Sequence, residues 1–168
     1  MQIFLLRHAI AVPRGTPNIQ DDDRPLTDEG RIRMEKEAVG IGRIVKQIDV
    51  ILTSPYKRAF ETAMITARAM GLTGSLHTFE PLKPGIPYKI LMNALKTYTD
   101  KENVLLVGHE PDLSNIAAKL INMPEPNIDF KKGSLCCIEV DEIPPQHPGL
   151  LRWLLKPSQL RDLGSLEK

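Results

Sequence analysis

The sequence predicts an α/β fold: a three-layer αβα sandwich around a mostly parallel central sheet, with an antiparallel strand pair at its C-terminal end. Three observations carry this. The apolar runs Ile3-Phe4-Leu5-Leu6, Val50-Ile51-Leu52 and Val104-Leu105-Leu106-Val107 are short and unbroken, the pattern of strands buried on both faces of a sheet. Between them lie longer stretches whose apolar residues recur at helical spacing, as crossovers between parallel strands require. Near the end, two strand-like runs at about 134–140 and 150–155 are joined by only a Pro-rich turn, so they pair antiparallel.

The bulk properties narrow the function classes. A chain of 168 residues fits one domain, spanning 1–168. That length buries roughly 70% of the unfolded surface without disulfides or a structural metal. Lys plus Arg number 22 against 21 Asp plus Glu, a net charge of +1, so no overall field points to nucleic acid or an anionic membrane. Any anion site must be local. The two cysteines, Cys136 and Cys137, are adjacent in a strand and point to opposite faces, which argues against a mutual disulfide, and with no second Cys pair a zinc knuckle or CxxC redox motif is ruled out. There is no signal-peptide pattern at the amino terminus and no apolar run approaching the roughly 18 residues of a membrane span, so a cytoplasmic location is expected. The expected state is a monomer.

Taken in order, the first strand ends abruptly in Arg7-His8-Ala9, a cation and an imidazole where buried strand breaks into loop. Residues 9–26 are rich in Pro, Gly and Asp and read as a loop long enough to be a functional lid, with Asp21-Asp22-Asp23 as a solvated turn and Arg24 as a clamp reaching toward the site. Thr27 is the expected N-cap of a helix over about 28–47, with Asp28 and Glu29 in its first turn. A second strand, Asp49 to Thr53, leads to Ser54, which is expected to cap a helix starting at Pro55 and stopped by Gly71. Arg58 then stands in the first helical turn. A third strand, Leu76 to Phe79, ends at Glu80, and a helix follows with Ile90, Leu91, Ala94 and Leu95 inward. The most apolar strand runs straight into Gly108-His109-Glu110-Pro111, after which Asp112 is expected to cap the next helix.

Four strands therefore end in chemistry, at Arg7-His8, Arg58, Glu80 and His109. In a parallel sheet those ends share one edge, so residues 100 positions apart meet in one pocket. Two arginines and two histidines beside a helix N-terminus suit a small dianion, since Arg presents a planar fork matched to phosphate oxygens and free helix N–H groups add donors. Phosphoryl transfer needs little beyond such positioning and a nucleophile in line. No GxxxxGK[ST] loop and no carboxylate-rich cluster is present, which argues against a Walker-type nucleotide site and a metal phosphatase. The pattern calls for no cofactor and no metal. Ser54 and the cysteines lack an adjacent base, whereas a neutral imidazole attacks near pH 7, which makes His8 the nucleophile. Its second ring nitrogen should donate to a backbone carbonyl of the adjacent loop, and His109 should remain protonated beside the transferred group.

Leu5-Leu6-Arg7-His8-Ala9, Thr53-Ser54-Pro55-Tyr56-Lys57-Arg58-Ala59-Phe60-Glu61-Thr62-Ala63 and Leu106-Val107-Gly108-His109-Glu110-Pro111 resemble the three signature blocks of the histidine phosphatase (phosphoglycerate mutase-like) superfamily. The small size, Arg24-Pro25-Leu26-Thr27 and the closing Leu154-Leu155-Lys156-Pro157-Ser158-Gln159-Leu160 resemble its SixA-type phosphohistidine phosphatase branch. The resemblance implies a phosphoglycerate mutase-like fold, His8 as nucleophile, and Arg7, Arg58 and His109 as the rest of the phosphate pocket; the clamp Arg24, read from its place in the loop, is added as a further phosphate contact. The usual Gly after the nucleophile is Ala9 here. Glu80 stands about where larger members carry a proton donor.

The spacing leaves no room for the helical insertions that cover the site in larger relatives. The expected activity is therefore metal-independent hydrolysis of phosphohistidine on a phosphotransfer-type protein, through a phospho-His8 intermediate. A P–N bond to protonated imidazole already has a good leaving group and relaxes the demand for an acid. A small-molecule phosphomonoesterase and a non-catalytic phosphate-binding module are the competing readings. Mutase action is disfavoured, because an open site would lose its phosphoenzyme to water.

Overall fold

The computed structural model describes residues 1–166. One six-stranded sheet has the order β3-β2-β4-β1-β5-β6, where β1 is Gln2–Arg7, β2 Val50–Thr53, β3 Leu76–Thr78, β4 Asn103–Gly108, β5 Leu135–Glu139 and β6 Leu150–Leu155. The first four run parallel, and β5 is antiparallel to both β1 and β6. The parallel registers align Arg7 with Gly108, and Thr53 with both Val107 and Thr78, so the chain leaves β1, β2, β3 and β4 at a common edge. Every functional candidate lies just beyond it.

The inner strands β1, β2, β4 and β5 carry buried apolar runs because both faces of the sheet are covered there, whereas the edge strands β3 and β6 are largely exposed or half-buried. Ile3 and Leu5 face one core with Leu91, Met92, Leu113 and Ile116, from α3 (Tyr88–Leu95) and α4 (Asp112–Leu120). Phe4 and Leu6 face the other with Met34, Ala38, Ile41, Ala59 and Ala63, from α1 (Asp28–Ile44) and α2 (Lys57–Met70). Cys136 belongs to the first core and Cys137 to the second, as strand alternation requires. No helix among the described residues is long and apolar enough to cross a membrane.

Thr27 caps α1 by accepting a hydrogen bond from Gly30 N. Other boundaries move. The first helix ends at Ile44 because Val45 turns extended. The helix expected from Pro55 begins at Lys57, and the Ser54 hydroxyl instead accepts from Tyr56 N at 3.3 Å, holding an extended entry turn. Asp112 does not cap α4; its carboxylate accepts from Gly85 N at 2.9 Å and ties the preceding loop down. A fifth helix, α5 (Pro157–Ser165), follows β6 and was not anticipated. Its start is marked by Pro157 at the first position and by the Gln159 amide oxygen accepting from Lys156 N.

Candidate active site

The sheet edge delivers His8 and His109 side by side, ring centroids 5.2 Å apart, on a cavity of about 260 Å³ that Arg7, Arg24 and Arg58 also line. Both imidazoles are almost wholly buried, and Arg58 is 2% exposed. His8 Nδ1 lies 2.7 Å from the Ala9 carbonyl oxygen, which can only accept, so Nδ1 carries the proton and Nε2 is left bare. The loop that supplies this carbonyl is itself fixed. Ala9 N donates to Thr62 Oγ1 at 3.0 Å, and the Thr62 hydroxyl donates to the Arg58 carbonyl at 2.7 Å. The backbone of the nucleophile candidate is thus tied to the turn that carries the candidate phosphate arginine.

His109 Nε2 is 2.8 Å from Ser54 Oγ, and the Tyr56 ring stands edge-on to the imidazole at 5.3 Å. The Arg58 guanidinium in turn covers Tyr56, 5.0 Å from the ring centre. Burial pushes His109 down to about 3, with the charges of Arg58, Arg24 and Arg7 acting in the same direction against Asp21. The expectation of a protonated His109 is therefore corrected for the free site, where burial beside three guanidinium groups leaves the ring neutral. Burial also pushes His8 down to about 2, more than the Ala9 hydrogen bond offsets, so the bare Nε2 stays unprotonated.

Arg7 donates from Nη1 to the Phe130 carbonyl at 2.6 Å. Arg58 donates from Nη1 to the Asp21 carbonyl at 2.5 Å and from Nη2 to Asp21 Oδ2 at 3.3 Å. Each guanidinium is thus held at one end. Arg7 Nε, Arg58 Nε and His109 Nδ1 are buried without a protein partner. The two arginine Nε–H groups are donors whatever the histidine tautomer; leaving such donors unmatched costs about 1–3 kcal/mol each, and an anion with several oxygens matches them. The charge and the unmade bonds point to one class of ligand, a compact oxyanion.

The expected helix N-terminal donors are not all free, because Lys57 N donates to the Asp21 carbonyl at 2.8 Å. Asp21 is accordingly not a solvated turn residue but a half-buried neighbour of the site. Arg24 lies beside it, donating from Nε to Asp21 Oδ1 at 3.0 Å and from Nη1 to the Val12 carbonyl at 2.6 Å. Glu80 stands apart: its side chain is 71% exposed, paired with Lys83, and does not line the cavity. Glu110 does line it, with its carboxylate engaged by the Ser114 N–H and hydroxyl at 3.0 and 2.6 Å. Arg14 and Lys132 also line it and were missed by sequence reasoning. Lys132 arrives because β5 runs antiparallel beside β1, with Gly133 N donating to the Arg7 carbonyl at 3.1 Å.

The family model for the histidine phosphatase superfamily (branch 1) matches residues 3–82. Phosphohistidine phosphatase SixA of Escherichia coli is 24% identical over 163 residues, which cover 96% of this chain and 97% of that protein. An uncharacterised protein of Picosynechococcus is 34% identical over 119 residues, 70% of this chain and 71% of its own. The structure of the protein histidine phosphatase SixA complexed with tungstate superposes with a TM-score of 0.83 at 25% identity, covering 95% of this chain and 99% of that one. The chain belongs to the histidine phosphatase superfamily, as a SixA-like member.

Proposed function

We propose that this protein hydrolyses phosphohistidine on a protein substrate through a covalent phospho-His8 intermediate. One observation carries the reading: the Ala9 carbonyl holds the Nδ1 proton of His8, so a bare Nε2 stands in a cavity lined by Arg7, Arg58, Arg24 and His109. In the first step His8 Nε2 attacks phosphorus and the P–N bond of the substrate breaks. A substrate ring protonated on its other nitrogen leaves as neutral imidazole. In the second step water attacks phospho-His8, whose Nδ1 proton is still held by Ala9, so His8 also leaves neutral and dihydrogen phosphate departs. Arg7 and Arg58 neutralise the equatorial oxygens throughout, and His109 adds its N–H as the bound dianion favours proton uptake by the ring.

Neither half-reaction needs a carboxylic acid. This fits a site where Glu80 faces solvent and Glu110 is engaged by Ser114. The name of the Escherichia coli relative, a phosphohistidine phosphatase, supports the same substrate bond. An open mouth suits a side chain presented by another protein.

The test is rapid-quench intact-mass analysis of wild type and His8→Ala after brief exposure to a phosphohistidine-bearing phosphotransfer protein or to p-nitrophenyl phosphate. A single phosphoryl adduct on wild type only, with faster turnover of the protein substrate, is the expected result. Turnover surviving in His8→Ala would overturn the mechanism. An adduct with fast ester hydrolysis and no P–N cleavage would move the substrate to small phosphate esters.

A further inference from the structure

We propose that Asp21 is a positioning residue for the reaction: its carboxylate and carbonyl grip the far end of the Arg58 guanidinium, so that the Nε edge of Arg58 is presented to the phosphoryl group. This rests on the phosphate-pocket reading above and extends it to a residue outside the signature blocks.

The geometry supports positioning over two alternatives. Asp21 engages Arg58 only through Nη1, at 2.5 Å to the carbonyl, and Nη2, at 3.3 Å to Oδ2. Arg58 Nε is left buried and unpartnered. Arg7 repeats the arrangement, with Nη1 on the Phe130 carbonyl and Nε unpartnered. Both arginines are thus anchored at one end, keep one buried N–H without a protein partner, and line the cavity, whose lining does not include Asp21. A residue acting as a competing anion would instead take up the unpartnered N–H groups.

Asp21 is also built in too firmly to be an incidental surface acid. Its carbonyl accepts from Lys57 N at 2.8 Å, and Oδ1 accepts from the Nε atoms of Arg14 and Arg24, each at 3.0 Å. One carboxylate therefore separates three guanidinium groups, one of which is almost fully buried. Partial burial raises the Asp21 carboxyl, but the hydrogen bond from Arg14 and the charges of Arg58 and Arg24 outweigh this and hold it below the ordinary carboxylate range. It stays charged at neutral pH. Truncating the side chain spares the carbonyl bond to Nη1 but removes the carboxylate's bond to Nη2 and the charge that separates Arg58 from Arg24, so the guanidinium is held at one point and free to swing.

The experiment exploits a conflict of sign. Removing a negative charge beside an anion site should tighten anion binding by Coulomb's law alone. Positioning predicts the reverse. Wild type, Asp21→Ala, Asp21→Asn and Asp23→Asn are compared for calorimetric binding of inorganic phosphate and for phosphohistidine turnover. Asp23 is exposed and carries the same charge in the same loop.

We expect Asp21→Ala to bind phosphate more weakly and to lose roughly 10- to 100-fold in kcat/KM, mostly in kcat, because Arg58 then meets the transition state out of place. Asp21→Asn keeps an acceptor for Arg58 and should recover most of the loss, while Asp23→Asn should match wild type. Equal or tighter phosphate binding by Asp21→Ala with unchanged kcat would overturn the proposal and leave the pocket reading intact. Absence of phosphate binding by wild type would overturn both.

A measurement on unsubstituted protein guards against misfolding of the variant. In ¹⁵N-resolved spectra, added phosphate should shift the Arg58 and Arg7 Nε–H resonances; a silent Arg58 Nε–H would overturn the proposal.

Discussion

At the scale of single residues, the site is governed by where protons cannot go. His8 and His109 sit at about 2 and about 3 because burial disfavours their charged forms. The ring ¹³C resonances of both should therefore stay at neutral-imidazole values from pH 8 down to about pH 5, where an ordinary histidine would already have titrated. Added phosphate should restore titration to His109 by supplying the missing counter-charge. Because Glu80 faces solvent with Lys83, Glu80→Gln should alter kcat/KM on phosphohistidine less than about twofold; a larger loss would show that the carboxylate swings into the cavity. Arg7, His8, Arg58 and His109 could be picked from the sequence because each ends or follows a parallel strand, and strand ends share an edge. Asp21 could not, since its place depends on a long loop folding back onto α2. Lys132 was hidden because its route runs through an antiparallel neighbour of β1 that short-range patterns do not reveal.

Among elements, the least legible feature is the contact of α1 with α5. Two glycines allow it: a methyl group on Gly40 would come within 2.0 Å of the Leu160 carbonyl oxygen, and one on Gly164 within 2.2 Å of the Lys36 carbonyl oxygen. The helices therefore meet backbone to backbone. Gly40→Ala must push them apart, at a cost of about 3 kcal/mol, or a fall in Tm of about 6–12 °C for a domain of this size. Thermal melts of Gly40→Ala beside the open-faced control Gly74→Ala, where an added methyl meets nothing, check this. The α5 sequence has only Leu160 fully buried, so its packing signal is a small residue in α1 rather than an apolar stripe of its own. Across the same contact Arg161 Nη1 donates to Glu37 Oε1 at 2.5 Å. Glu37 lies beneath Gly133, where an added methyl would come within 2.4 Å of Oε2, and Gly133 in turn bonds the Arg7 carbonyl. The helix pair thus supports the strand end that carries the site.

For the whole molecule, these buried groups set how stability depends on pH. Burial raises the Glu37 carboxyl to about 7, against an unfolded value of 4.5, although its ion pair with Arg161 works the other way. A raised acid stabilises the native state below its unfolded value, and that contribution is lost as pH climbs to about 7. The two histidines act in the opposite sense: below 6.5 the unfolded chain takes up protons that the native chain refuses, so stability falls down to about pH 3. Tm should therefore peak near pH 6.5. In Glu37→Gln the loss toward pH 8 should vanish and the acid limb should steepen, since one of three opposing titrations is gone. The layered architecture was readable from the sequence because strands buried on both faces leave unbroken apolar runs, whereas α5 left only its N-terminal Pro157 and Gln159. The adjacent thiols have a consequence for following the molecule as it opens. Cys136 and Cys137 sit on opposite sides of β5, one in each core, with burial pushing them up to about 12 and about 11. An alkylating reagent meets neither as reactive thiolate in the native state, and fraying of one helical layer would bare one sulfur alone. The ratio of singly to doubly labelled protein is thus an internal gauge of whether the two layers come away from the sheet one at a time or together.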